Sequence, residues 1–202
     1  MKNFLLFFLL FFYASSGGEV FKSLEKKLTS CSYIEASFHQ KTHIEGLDEE
    51  ENMSFTGKLY ISKPDKIKIE YTEPLHQIIF VEGNKSTVYT PEENQAVISK
   101  LPEDFLVVKI FSDLSKNKGI SDTFSVKEEK KLNNGYLLLL QPEDKKIKKV
   151  LLTLDENKNI TKIKIIDTEN NIVIIKFDYF KCLKEGKELP FSLPKDVNII
   201  EY

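Results

Sequence analysis

Between Phe55 and Tyr89 apolar and polar residues alternate with period two, and this pattern constrains the fold more than any other part of the chain. Phe55, Gly57, Leu59 and Ile61 share one face, and Thr56, Lys58, Tyr60 and Ser62 the other. Such alternation specifies a strand with one dry and one wet face. Lys63-Pro64-Asp65 then supplies turn chemistry, because proline presets its own φ. The alternation resumes with Ile67, Ile69 and Tyr71 against Lys66, Lys68 and Glu70. After a break at Thr72–Pro74, a third run, Gln77–Gly83, brings Ile78 and Phe80. The stretch predicts an antiparallel meander. Its dry face is either closed core or a surface for an apolar ligand.

The flanking segments extend this plan. Phe21, Leu24, Leu28 and Cys31 fall on one helical stripe, which predicts a helix from Glu19 to about Ser30 that packs on a sheet. Tyr33–Ile44 returns to period two, with Ile34, Ala36 and Phe38 inward. Gly46–Asn52 is acidic and reads as a solvated loop, and Gln95–Leu101 reads as irregular. Pro102-Glu103-Asp104 suits a helix start, and Phe105, Leu106, Val107, Val108, Ile110, Phe111 and Leu114 make the segment behind it largely apolar. From Ile120 onward short apolar runs are separated by polar turns, among them Asn133-Asn134-Gly135. Val197–Ile200 offers a last edge strand. The expected fold class is mainly β with helices (α+β): one domain, residues 17–202, without internal repeat or linker.

Residues 1–16 read as a signal peptide. Lys2 precedes the apolar run Phe4–Tyr13, and Ala14 and Ser16 are the small residues a signal peptidase selects. The run is shorter than the roughly 20 residues a membrane-crossing helix needs. No cysteine stands at the cleavage region, so a soluble, unlipidated export product is expected. The chain's two cysteines, Cys31 and Cys182, have two readings. Export favours a bridge, and the apolar stripe favours small core hydrophobes.

Composition excludes several functions. A formal net charge of −2 is not the footprint of a nucleic-acid binder. Every basic residue is lysine, so the chain has no arginine for planar, bidentate recognition. On a strand, His39 and His43 lie about 13 Å apart, too far for one metal. The chain contains no HExxH, GxSxG or glycine-rich phosphate loop. The reading is of a non-enzyme without cofactor or metal.

Residue order adds a resemblance. Ala36-Ser37-Phe38-His39-Gln40-Lys41 after the first helix, Gly57-Lys58-Leu59-Tyr60-Ile61-Ser62-Lys63-Pro64, Glu70-Tyr71 with Pro74, and Val88-Tyr89-Thr90-Pro91 with Gln95 occur in the order seen in the periplasmic outer-membrane lipoprotein carrier (LolA) family. Leu140-Gln141-Pro142 and Phe191-Ser192-Leu193-Pro194 with Val197 continue the likeness to the C-terminus. The resemblance implies an incomplete, strongly curved antiparallel β-barrel, closed by an N-terminal helix and an internal helical lid. It implies a periplasmic monomer that shields lipoprotein acyl chains between an inner-membrane ABC-type release complex and an outer-membrane receptor. The alternative is a non-catalytic lipid- or lipoprotein-sensing module of the same fold. On this resemblance Phe38, Phe55, Leu59, Ile61, Ile67, Ile69, Tyr71, Ile78 and Phe80 line the cavity. Phe105, Leu106, Val107, Ile110, Phe111 and Leu114 form the lid. Lys63 stands where family members with arginine latch that lid, and lysine offers a single flexible donor group instead of a fork.

Overall fold

The computed structural model describes residues 18–48, 53–101, 108, 110–112 and 119–202. The expected signal peptide and the lid residues Phe105, Leu106, Val107 and Leu114 lie outside them. Helix α1 (Glu19–Thr29) is followed by β1 (Tyr33–His43), β2 (Met53–Ser62), β3 (Lys66–Glu73), β4 (Gln77–Glu82), β5 (Lys85–Thr90) and β6 (Gln95–Lys100). Residues 108 and 110–112 are helical. The second half of the chain supplies β7 (Phe124–Leu132), β8 (Gly135–Pro142), β9 (Ile147–Leu154), β10 (Ile160–Asp167), β11 (Ile172–Leu183) and β12 (Asn198–Glu201).

Among the described residues twelve strands form one sheet, in the order β12-β6-β5-β4-β3-β2-β1-β11-β10-β9-β8-β7. Each neighbouring pair is antiparallel except β12–β6, which is parallel. The sheet is strongly curved and open, with β7 and β12 as its two edges. The expected meander is therefore present. The edges do not pair with each other, so hydrogen bonding does not close a barrel.

The segment expected to be irregular, residues 95–101, is mostly strand β6. It pairs with β5 after a 3-10 turn at Pro91–Glu93, where Asn94 takes a left-handed φ of 48°. Its alternation was hidden because β6 carries apolar residues, Ala96 and Ile98, on the face expected to be wet. The chain after β11 runs across that face. Phe191 stacks on Phe80 with ring centroids 4.7 Å apart, and Ser62 Oγ donates to the Lys187 carbonyl at 2.7 Å.

The main core lies on the opposite, concave face. Ile34, Ala36 and Phe38 from β1 join Leu59 and Ile61 from β2, Ile67 and Ile69 from β3, and Leu138, Leu152, Ile163 and Ile175 from the later strands. Phe21, Leu24 and Leu28 of α1 complete one continuous cluster with Val108, Ile110 and Phe111. Gly57 makes this packing possible. A Cβ there would lie 2.7 Å from Phe38 Cζ and 2.8 Å from the Glu70 carbonyl oxygen.

The two cysteines form a disulfide, with Cα atoms 5.3 Å apart and a sequence separation of 151. It ties the end of α1 to β11.

Candidate functional site: the concave face and its helical cover

Register decides which predicted lining residues face inward. Phe38 pairs with Gly57, Leu59 with Ile69, and Ile61 with Ile67, so Phe38, Phe55, Leu59, Ile61, Ile67, Ile69 and Tyr71 share the concave side. Ile78 and Phe80 do not. Ile78 is registered with Glu70 and Phe80 with Lys68, whereas Ile69 meets Ile79 and Ile67 meets Val81. The correction is a one-residue phase shift: Ile79 and Val81 are the inward residues of β4. The run Ile78–Val81 is apolar on both faces, because Phe191 covers the outer one. Alternation therefore carried no phase information there.

At one end of the concave face an aromatic group replaces the aliphatics. The Phe38 and Tyr71 rings meet edge-on at 5.7 Å, and Phe55 tilts against Tyr71 at 5.5 Å. Tyr71 Oη donates to Gln40 Oε1 at 3.3 Å, and Gln40 Nε2 donates to Thr42 Oγ1 at 3.1 Å. Gln40 is buried, so these bonds satisfy an amide that would otherwise be costly to place there. Burial pushes the Tyr71 phenol up to about 12.

The cover is fixed by polar ties at its rim. Val20 N and Phe21 N at the start of α1 donate to the Glu129 carboxylate, at 3.4 and 2.9 Å. Glu129 lies on edge strand β7 and takes the place of an N-cap side chain, since Gly18 occupies the cap. Glu25 accepts from Ser121 N at 2.9 Å, which links α1 to the chain just behind the internal helical residues. Lys158 Nζ donates to Ser23 Oγ at 3.0 Å. At the other end Lys63 Nζ donates to the Leu28 carbonyl at 2.7 Å. Burial holds its ammonium below the ordinary lysine range.

Among the described lid residues, Ile110 and Phe111 are buried with Val108 in the main cluster, and Phe111 lies 6.4 Å from Phe177 of β11. Lys63 meets α1 rather than these residues. Sequence reasoning missed Glu129 and Glu25, which sit in charged runs that look merely solvated. It also missed the inward aliphatics of β8–β11, although their period-two runs were legible. No group of three or more His, Cys, Asp or Glu among the described residues could hold a metal ion.

The sequence model described as "Outer membrane lipoprotein carrier protein LolA" matches residues 29–192. A relative from Francisella philomiragia subsp. philomiragia, "Outer-membrane lipoprotein carrier protein", is 27% identical over 181 residues, covering 88% of this chain and 86% of its own. One of the same name from Francisella tularensis subsp. novicida is 26% identical over 206 residues, covering 100% of this chain and 98% of its own. Among solved structures, an uncharacterized conserved protein from Thermus thermophilus superposes with a TM-score of 0.55 at 14% identity. That match covers 91% of this chain and 98% of that one, and it concerns the fold alone.

Proposed function

This chain belongs to the LolA family of outer membrane lipoprotein carriers, and on that premise we propose that its concave face takes up the acyl chains of lipoproteins. The carrier would work in the periplasm. It would receive cargo from an inner-membrane ABC-type release complex and pass it to an outer-membrane receptor. It would do so as a monomer and without catalysis.

One observation carries this reading. The apolar face is continuous across β1–β4 and β8–β11, and its cover, tethered at the end of α1 by the Cys31–Cys182 bridge, is otherwise secured at the rim by a few polar contacts from Glu129, Glu25, Lys158 and Lys63. Each contact can be exchanged for water at small net cost. Beneath the cover, each acyl methylene removed from water gains about 0.8 kcal/mol. A few partly buried chains would outweigh the rim. A closed empty state still lowers apparent affinity, because only the open fraction can bind. That keeps uptake reversible, as a carrier requires.

The test uses the mature protein with spheroplasts, or with proteoliposomes holding a release complex. The reading expects an outer-membrane lipoprotein to appear in solution in a one-to-one complex with the carrier. Lipoprotein that stays membrane-bound would reject it.

A further inference from the structure

The convex side of the sheet carries apolar residues in both halves, but among the described residues a segment of this chain covers only one of them. Over β2–β6 the residues after β11 supply the cover, through Phe191 on Phe80 and the Ser62–Lys187 hydrogen bond. Over β7–β11 the outward residues Leu137, Leu139, Leu151 and Ile174 remain partly exposed.

Register sets lysines among them. One row across the strands reads Lys130, Leu137, Thr153, Lys162, Lys176 and His39. The next reads Glu128, Leu139, Leu151, Lys164, Ile174 and Lys41. Lys162 and Lys176 stand directly opposite each other, a like-charge pairing that destabilises a sheet. None of these lysines takes part in the ion pairs among the described residues. Glu128 is the acid within the two rows, and Asp178 lies beside the first of them, 3.4 Å from His39 Nε2 and accepting from Ser37 Oγ at 3.0 Å.

We propose that this half of the convex face docks on an anionic bilayer surface. A net charge of −2 gives the whole molecule no such attraction, so the basic field is local to the patch. Charge complementarity is the first argument: uncompensated ammonium groups, two of them facing each other, are relieved by a negative surface. Shape is the second. Six strands at sheet spacing spread the charge over about 24 Å. The two rows hold no Trp, Tyr or Arg to act as the anchor of a protein interface. A diffuse anionic plane suits them better than a partner protein with a central hot spot. Docking by this face leaves the helix-covered face turned away from the membrane. The proposal goes beyond the carrier reading and stands whether or not the concave face takes acyl chains.

The experiment is sedimentation of the mature protein with vesicles of phosphatidylcholine, with and without phosphatidylglycerol. Wild type should bind the anionic vesicles, ignore the neutral ones and lose binding as salt is raised. Lys176→Glu is the informative variant. It turns a like-charge pair into an opposite-charge pair, so its melting temperature should not fall, while its vesicle affinity should drop about tenfold. Lys85→Glu, at the far end of the sheet, should leave binding unchanged. If wild type ignores anionic vesicles, the face is not a membrane site, and an acidic protein partner becomes the better occupant. If Lys176→Glu stays as stable as wild type and binds vesicles equally well, the patch is not the contact. Either result overturns the proposal.

Discussion

Lys63 Nζ donates to the Leu28 carbonyl oxygen at 2.7 Å, so the cation of the β2–β3 turn sits on the last turn of α1. A helix leaves its final carbonyls without internal partners and carries partial negative charge at that end. Lys63 answers both needs. Lys63→Met keeps the stem and removes the donor. We expect it to cost about 1 kcal/mol in urea unfolding, a figure kept low because the group is half-exposed. Lys63→Arg should recover most of the loss. If Lys63→Met unfolds at the wild-type urea concentration, the contact contributes nothing.

Glu129 holds the opposite end of α1. Glu129→Ala removes the side-chain acceptor of Val20 N and Phe21 N. Loss of such a cap costs about 1 kcal/mol. Hydrogen exchange should quicken at the start of α1 and stay slow near Leu28, where Lys63 and the disulfide remain. Uniformly faster exchange along α1 would show that the helix moves as a block and would contradict separate end restraints.

The Cys31–Cys182 bridge joins positions separated by 151 in the sequence. On the chain-entropy view, a bridge of this span contributes up to about 5 kcal/mol by restricting the unfolded chain. Reduction, or replacement of both cysteines by serine, should lower the urea midpoint clearly. A midpoint unchanged by reductant would mean that the core alone fixes α1 on β11.

Gly57→Ala places a methyl group against Phe38 and the Glu70 carbonyl. Overpacking of this kind costs about 1–3 kcal/mol. Thermal unfolding of the variant measures it, and an unshifted melting temperature would show that Phe38 has room to move.

Tyr71 gives an alkaline signature. Its folded-state value of about 12 lies above the ordinary tyrosine value of 10.0. The folded protein therefore keeps this proton where the unfolded chain loses it. The associated stability is complete below pH about 10 and is lost as pH rises toward about 12. Burial also raises Tyr33, Tyr60 and Tyr179, so absorbance of tyrosinate should show several late groups, and Tyr71→Phe should remove the component near 12. A titration unchanged in Tyr71→Phe would refute the assignment.

Much of the fold was legible in the chain, and the limits have physical causes. Strands β1–β3 followed directly from alternation, because one face there is dry and the other wet. The phase of β4 and the existence of β6 were not legible, because Phe191 and its neighbours dry the outer face of that half of the sheet. Ile78 and Phe80 were misplaced for this reason, and Ile79 and Val81 replace them. Glu129 could not be recognised because its role depends on β7 lying beside α1, a contact 108 residues distant in sequence. The disulfide stood as one of two readings, since only the sheet brings Cys182 to Cys31.

The central claim, that the concave face binds acyl chains, is tested most directly by gel filtration of residues 17–202 with a synthetic triacylated lipopeptide and with the same peptide lacking its acyl chains. The account predicts that the acylated peptide co-elutes one-to-one with the wild-type protein and that the unacylated one does not. It also predicts that Ile69→Glu, which places a charge on the concave face, abolishes co-elution. Equal behaviour of the two peptides, or no co-elution of either with wild type, would contradict it.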